Sequence, residues 1–321
     1  MSFGNISPGK LNHAATDLFI ENLNLIGGEA MYFPKEVEII EVGPRDGLQN
    51  EKVFVPTNMK QMLVDLLANT GVQRIETASF VHPQAVPQMA DAREMSTYSN
   101  QRGIKYLALT PNSKALELAI EQKVPQIAVF VGASETFNQH NIRRSIEESL
   151  TECTQMFERA KEQGMFIRAY VSMCFSCPYE GDIPYANVER VVRHFVEYGA
   201  DEISIGDTNG QAHPKIVYER FAKLKEQFSD TTFVAHFHDT NGLALANIIA
   251  ALQAGVTKFD SSIAGLGGCP YSLGATGNVA TEKVVELFHR MGIHTGIDEK
   301  ALYRASAFTK RLLLQLQLRM R

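Results

Sequence analysis

Eight short runs rich in β-branched and aromatic residues, separated by stretches of helical period, organise this chain from Val37 onward. The runs are VEIIEV (37–42), VQRIETA (72–78), KYLALT (105–110), QIAVFVG (126–132), IRAYVSM (167–173), DEISIGD (201–207), TFVAHFHD (232–239) and KFDSSIAG (258–265). Between them lie stretches such as TNMKQMLVDLLANTG, SIEESLTECTQMFERAKEQG, NVERVVRHFVEYG and NGLALANIIAALQAG, with apolar residues at i, i+3, i+4 and i+7 and a closing glycine. Each helix feeds the next strand. A strict eightfold alternation over roughly 250 residues predicts an α/β chain folded as a (β/α)8 TIM barrel. A doubly wound open sheet is the rival, but no G-x-G-x-x-G follows the first strand. One catalytic domain over 37–321 is expected, ending in the helices NVATEKVVELFHRMG and DEKALYRASAFTKRLLLQLQLRM.

Composition narrows the classes of function. At 321 residues with 45% hydrophobic and 21% charged residues, the chain can bury a sizeable core. A net charge of −5 with both signs scattered offers no basic stripe, so neither nucleic acid nor a membrane is expected as a partner. The four cysteines, Cys153, Cys174, Cys177 and Cys269, are too few and too irregularly spaced for a disulfide framework. No apolar run approaches the ~20 residues that span a bilayer, and the first thirty residues resemble neither a signal nor a transit peptide. The reading is a cytoplasmic protein. Residues 1–36 are expected to be a leader, either poorly ordered or a misassigned start, with Met31 as an alternative first residue.

In this fold the active site lies at the C-terminal ends of the strands and in the loops that follow them. Those ends collect polar residues: GPRDGLQN after the first strand, Glu76 to Phe80 at the second, CPYEGD after the fifth, Asp207 at the sixth, and His236, His238 and Asp239 at the seventh. Alternation along a strand puts His236 and His238 on one face, aimed at one point of the barrel mouth. Alone, H-x-H is a weak signal. Asp46, placed at the end of the first strand, and Asn278, after the eighth, add a carboxylate and an amide oxygen on neighbouring strands. Two histidines, a carboxylate and an amide suit Mg²⁺ or Mn²⁺, with zinc and iron as alternatives. His213 opens a helix and has no such cluster.

Five motifs in order, EVGPRDGLQNEK, RIETASFVHPQAVPQM, CPYEGDI, HFHDTNGLALAN and AGLGGCPYSLGATGNVATE, resemble the 3-hydroxy-3-methylglutaryl-coenzyme A lyase family. That family belongs to the divalent-metal lyase and Claisen-condensing barrels. The resemblance runs from about Val37 to the C-terminal helices and implies cleavage of the substrate to acetoacetate and acetyl-coenzyme A. It implies a metal held by Asp46, His236, His238 and Asn278, an acyl-CoA substrate and a homo-oligomer, a dimer. Arg45 and the loop cysteine Cys269 are implied in catalysis, with Asp46 and His236 counted beside them.

Splitting C2 from C3 of such a substrate removes the hydroxyl proton and passes negative charge to a thioester enolate. Arg45 can donate to that oxygen, an effect of about 3 kcal/mol for a well-placed donor, and Gln49 in the same loop is expected to touch substrate with it. Glu76 can be a base, an orienter or Arg45's ion-pair partner; the supporting role is preferred. The segment GLGGCPYSLGATGN (265–278) is read as a flap whose closure excludes water and brings Cys269 to the reacting carbon. Cys174 and Cys177 form C-x-x-C after a strand, with no second pair, which disfavours a redox or zinc site. The alternatives are a lyase for a longer-chain 3-hydroxyglutaryl thioester, a condensing synthase, and an inactive barrel used for binding.

Overall fold

The computed structural model describes residues 33–268 and 277–318. Eight parallel strands close into a barrel: β1 (Glu38–Glu41), β2 (Arg74–Ser79), β3 (Tyr106–Leu109), β4 (Gln126–Gly132), β5 (Phe166–Ser172), β6 (Glu202–Asp207), β7 (Phe233–Phe237) and β8 (Lys258–Ser261). All eight coincide with the runs read from the sequence. The barrel closes where β1 pairs with both β2 (Ile40 beside Arg74) and β8 (Ile39 beside Phe259). Strands of a parallel barrel are covered on both faces, and β2, β3, β6 and β7 are buried at every residue.

The helices are α1 (Thr57–Ala68), α2 (Ala92–Gln101), α3 (Ser113–Glu121), α4 (Glu135–Ile142), α5 (Ile146–Glu162), α6 (Tyr185–Glu197), α7 (Pro214–Gln227), α8 (Ala244–Gln253), α9 (Thr281–Arg290) and α10 (Glu299–Leu318). Each outer helix lays one stripe on the barrel; α6, for example, buries Val188, Val191, Val192 and Phe195. The glycines closing α6 and α8, Gly199 and Gly255, take φ of 77° and 84°, a left-handed geometry in which a side chain is strained. The two helices expected after β8 are α9 and α10, and α10 packs against α1 and α9. At the N-terminal end of the barrel, Val37 N donates to His294 O and His294 N to Lys35 O, both at 2.9 Å. The expected leader lies outside the described residues up to residue 32.

Two features were not foreseen. Helix α4 follows β4 almost at once, capped by the Ser134 hydroxyl and held by buried Asn138, whose Oδ1 accepts the Gly132 N–H at 2.9 Å. Between β5 and α6 the CPYEGD loop folds into a small antiparallel hairpin, Ser176–Cys177 against Gly181–Asp182. The C-x-x-C pair does not act together. The Cys174 thiol donates to Val171 O at 2.9 Å and burial pushes its pKa up to about 12, whereas the Cys177 sulfur accepts from the Ser134 hydroxyl at 3.1 Å.

Candidate active site

The first strand stops at Glu41, and the chain then makes one π-helical turn, Gly43–Gly47, with Gly47 N donating to Val42 O at 3.2 Å. Asp46 therefore sits five residues beyond the strand, on this turn, and not at the strand's end as the sequence suggested. Such turns are uncommon and concentrate at functional sites. This one aims two consecutive side chains, Arg45 and Asp46, at the barrel mouth. Gly47 is required by close approach: a Cβ there would lie 2.7 Å from both Leu266 Cβ and Ser262 Oγ.

His236, within β7, and His238, just past its end, share the mouth as alternation predicts, their ring centroids 5.3 Å apart. Asn278 arrives by a different route. After the flap the chain runs antiparallel to the end of β7, with Asp239 N donating to Gly277 O at 3.1 Å and Val279 N to Phe237 O at 3.0 Å, which sets Asn278 opposite His238. Its Nδ2 donates to Asp46 Oδ2 at 2.7 Å and to Leu266 O at 3.1 Å. The amide nitrogen thus faces Asp46; a ligand role needs the amide oxygen turned to the cluster.

One ligand atom each from Asp46, His236 and His238 lies within 4.8 Å of the others. Burial opposes the Asp46 charge, but Arg45 first and then the two histidines hold its pKa below the ordinary carboxylate value. Burial and the neighbouring His236 push His238 down to about 4, and its Nδ1 has no partner among the described residues. His236 differs. Burial works against its charge, yet the bond from its ring to Asp260 Oδ2 (3.1 Å) and the charges of Asp260 and Asp46 raise its pKa. An ionised carboxylate beside a neutral imidazole with an orphaned nitrogen fits a divalent cation, since ligands must be deprotonated to bind.

Arg45 is clamped between two carboxylates, NH1 to Asp46 Oδ1 at 2.7 Å and NH2 to Glu76 Oε2 at 2.5 Å, over the Tyr170 ring at 5.6 Å. Burial disfavours its charge, but Glu76 and Asp46 more than reverse this and raise its pKa further. Glu76, fully buried, also accepts the Tyr170 hydroxyl at 3.2 Å, so its described contacts are the ion pair with Arg45 and this hydrogen bond. Gln49 Nε2 donates to Asp46 Oδ1 at 3.2 Å and lines the cavity with Arg45. Cys269 and the flap through residue 276 lie outside the described residues. The flap's described ends are anchored: Asn50 Nδ2 donates to Gly268 O at 2.6 Å, and Gly267 takes φ of 124°, where a Cβ would meet Asn278 Nδ2 at 2.5 Å.

Above the cluster opens a cavity of about 530 Å³ with a polar floor of Arg45, Asp46, His236 and His238 and an apolar wall that includes Leu109, Phe130 and Phe137. Sequence reasoning missed Tyr170 and Asp260. Both stand inside strands read from the sequence, but what brings them to the site is the closed barrel, which sets Asp260 beside His236 in the β8–β7 register.

Fold and site together define a (β/α)8 barrel with a carboxylate and two imidazoles gathered at its mouth, a set that could hold a metal ion. Residues 36–309 match the HMGL-like family model, and the chain belongs to that family. It is 45% identical over 277 residues to the mitochondrial hydroxymethylglutaryl-CoA lyase of Bos taurus, covering 86% of this chain and 85% of that one. The Bacillus subtilis HMG-CoA lyase crystal structure superposes with a TM-score of 0.85 at 41% identity, over 91% of this chain and all of that one. The Acinetobacter baumannii HMG-CoA lyase, solved with coenzyme A and 3-methylmalate, gives 0.82 at 35% identity over 88% of this chain and 93% of that one.

Proposed function

We propose that this protein is a divalent-metal-dependent lyase that cleaves 3-hydroxy-3-methylglutaryl-CoA to acetoacetate and acetyl-CoA. The observation that carries the reading is the single turn presenting Asp46 to the histidine pair and Arg45 to the cavity. Asp46, His236 and His238 would hold a Mg²⁺ or Mn²⁺ ion, which would supply positive charge to lower the pKa of the C3 hydroxyl. In the reaction the C3 hydroxyl releases its proton to solvent, the C2–C3 bond breaks, C3 becomes the ketone of acetoacetate and C2 leaves as the thioester enolate; the proton that Cys269 then gives to C2 is returned to its thiolate from solvent, so no net proton is gained or lost. Arg45 meets that enolate. Held by Asp46 and Glu76, its guanidinium is fixed before charge develops, and it keeps further N–H groups, including the buried Nε that has no partner among the described residues. Glu76 and the Tyr170 hydroxyl fix Arg45 without touching the reacting atoms. The Cys269 thiol gives the proton that converts the enolate at C2 to acetyl-CoA, and Gln49 orients the substrate beside Asp46.

Among the described residues no helix is long and apolar enough to cross a membrane. Cys153, Cys174 and Cys177 are free thiols, which suits a reducing compartment such as the cytoplasm. The test is a product assay with the hydroxymethylglutaryl thioester. Acetoacetate and acetyl-CoA should form in equal amounts, disappear after chelation and return with Mg²⁺ or Mn²⁺. No cleavage by the metal-reconstituted protein would overturn the activity, and clear preference for a longer 3-alkyl chain would move the substrate assignment to the alternative.

A further inference from the structure

The inside of a (β/α)8 barrel is ordinarily filled by branched apolar side chains. Here Ile40, Leu107, Ala128 and Val234 form part of such a layer. The strands around it also carry a chain of charges. Lys258 Nζ lies 3.0 Å from Glu38 Oε2, Glu38 Oε1 accepts Arg74 Nε at 2.6 Å, and Arg74 pairs with both oxygens of Glu202 at 2.7 and 2.9 Å. Glu202 Oε1 accepts Arg168 NH1 at 3.0 Å, and Arg168 NH2 bonds both oxygens of Asp260 at 2.5 and 2.6 Å. Three cations alternate with three carboxylates, and the innermost members, Arg168, Glu202 and Asp260, have fully buried side chains.

Desolvating that many charges is expensive, and buried ion pairs replaced by apolar packing often leave a protein as stable or more so. Stability alone is therefore a poor account of this column, and its upper end supplies another. Asp260 Oδ2 accepts the Ser204 hydroxyl at 2.9 Å and meets His236 Nδ1 at 3.1 Å. That bond occupies one ring nitrogen of His236 and leaves Nε2 as the donor atom for the cluster. His238, by contrast, has an unpartnered Nδ1 among the described residues.

We propose that Asp260, locked in place by Arg168 and Ser204, is the positioning residue for His236: it fixes the Nδ1–H form of the ring and strengthens Nε2 as a metal ligand. A carboxylate behind a ligating histidine sets ring orientation and basicity, and losing it typically weakens metal binding about 10- to 100-fold. The column below holds Asp260 in that position through the two bonds from Arg168 NH2. Asp260 touches no reacting atom.

The inference rests on the metal site proposed above, and the experiment separates the two. Mn²⁺ binding to the full chain is followed by the electron paramagnetic resonance signal of free Mn²⁺. No binding by the unaltered protein would overturn the metal site itself. With binding established, Asp260→Asn should weaken it about 10- to 100-fold, and Ser204→Ala, which removes one bond to Asp260 and no charge, should weaken it by a smaller factor. Unchanged affinity in a folded Asp260→Asn, even with a lowered melting temperature, would reduce the column to a structural plug. If Asp260→Asn does not fold, Ser204→Ala and the unaltered protein decide. In the Mg²⁺-loaded full chain, nitrogen-15 spectra should show His236 protonated at Nδ1 and unprotonated at Nε2; the opposite tautomer overturns the proposal.

Discussion

Arg45 is the residue on which geometry and chemistry converge most closely, because its guanidinium is held by two carboxylates while lining the cavity. Lysine carries its three donors on one nitrogen and has no fork, so it cannot reproduce the separate NH1 and NH2 arms that hold Asp46 and Glu76 while another N–H is aimed at a third oxygen. Arg45→Lys should lower kcat by about 10²- to 10³-fold, the range for loss of one preorganised donor. Substrate KM should change little, because the enolate exists only beyond the ground state. A fall in KM-limited binding with kcat intact would assign Arg45 to substrate capture. Cys269 poses a sharper choice. If its thiol moves a proton, Cys269→Ser should lose about 10²-fold or more in turnover, since a hydroxyl is far too weak an acid near neutral pH. Metal affinity should be unaffected, and bound substrate should protect the thiol from alkylation. Near-normal turnover in Cys269→Ser would leave the loop as a lid.

At the scale of elements, buried Glu41 joins three pieces. Its Oε1 accepts the Gly43 and Ile263 N–H groups, both at 2.8 Å, and its Oε2 accepts the Thr281 hydroxyl at 2.7 Å. The turn bearing Arg45, the base of the flap and the start of α9 thus share one carboxyl. Burial pushes its pKa up from 4.5 to about 7, against the lowering by Thr281 and the two backbone groups. A raised folded-state value means the contribution to stability is complete below pH 4.5 and lost as pH climbs through about 7. The loss is on the order of 3 kcal/mol. Glu41→Gln can keep the two backbone bonds through its oxygen and donate to Thr281 Oγ1, so it should flatten this part of the profile. Urea midpoints at pH 5 and pH 8 should differ less in the variant; an equal difference would remove Glu41 as the titrating group. The eight strands were legible because β-branched runs and closing glycines are local signals. Helix α4 and the small hairpin were not, because α4 depends on Asn138 reaching back to Gly132 and the hairpin on Ser176 donating to Asn209 at 3.1 Å. The same limit explains Asp46: sequence shows that it follows β1, but the intervening π-helical turn, packed at Gly47 against Leu266 and Ser262 from the far end of the chain, appears only in the folded barrel. The charges of the barrel interior stood in plain view in IRAYVSM, DEISIGD and KFDSSIAG, yet their pairing across strands becomes visible only once the barrel closes.

For the molecule as a whole, the cluster lies close to the seam where the first and last strands meet. Asn278 bonds Asp46 across 232 residues of sequence, and the histidines come from β7, the next strand round. A cation on this set would cross-link the two ends of the barrel chain and has no equivalent site in the unfolded state. Binding to the folded form alone adds about 2.7 kcal/mol at a free-ion concentration of 100 Kd. With roughly 2 °C per kcal/mol in a domain of this size, Mn²⁺ at that level should raise the melting temperature by about 5 °C, measured by calorimetry with and without chelator. His236→Ala should abolish the shift. His213→Ala provides the contrast: His213 caps α7, its Nδ1 accepting from Ile216 N at 3.4 Å, and it is not one of the three clustered ligands. Its loss should lower the starting melting temperature slightly and leave the metal-induced rise in place. Equal shifts in both variants would mean that the ion stabilises the barrel from somewhere other than its mouth, and the metal-site assignment would fall with that result.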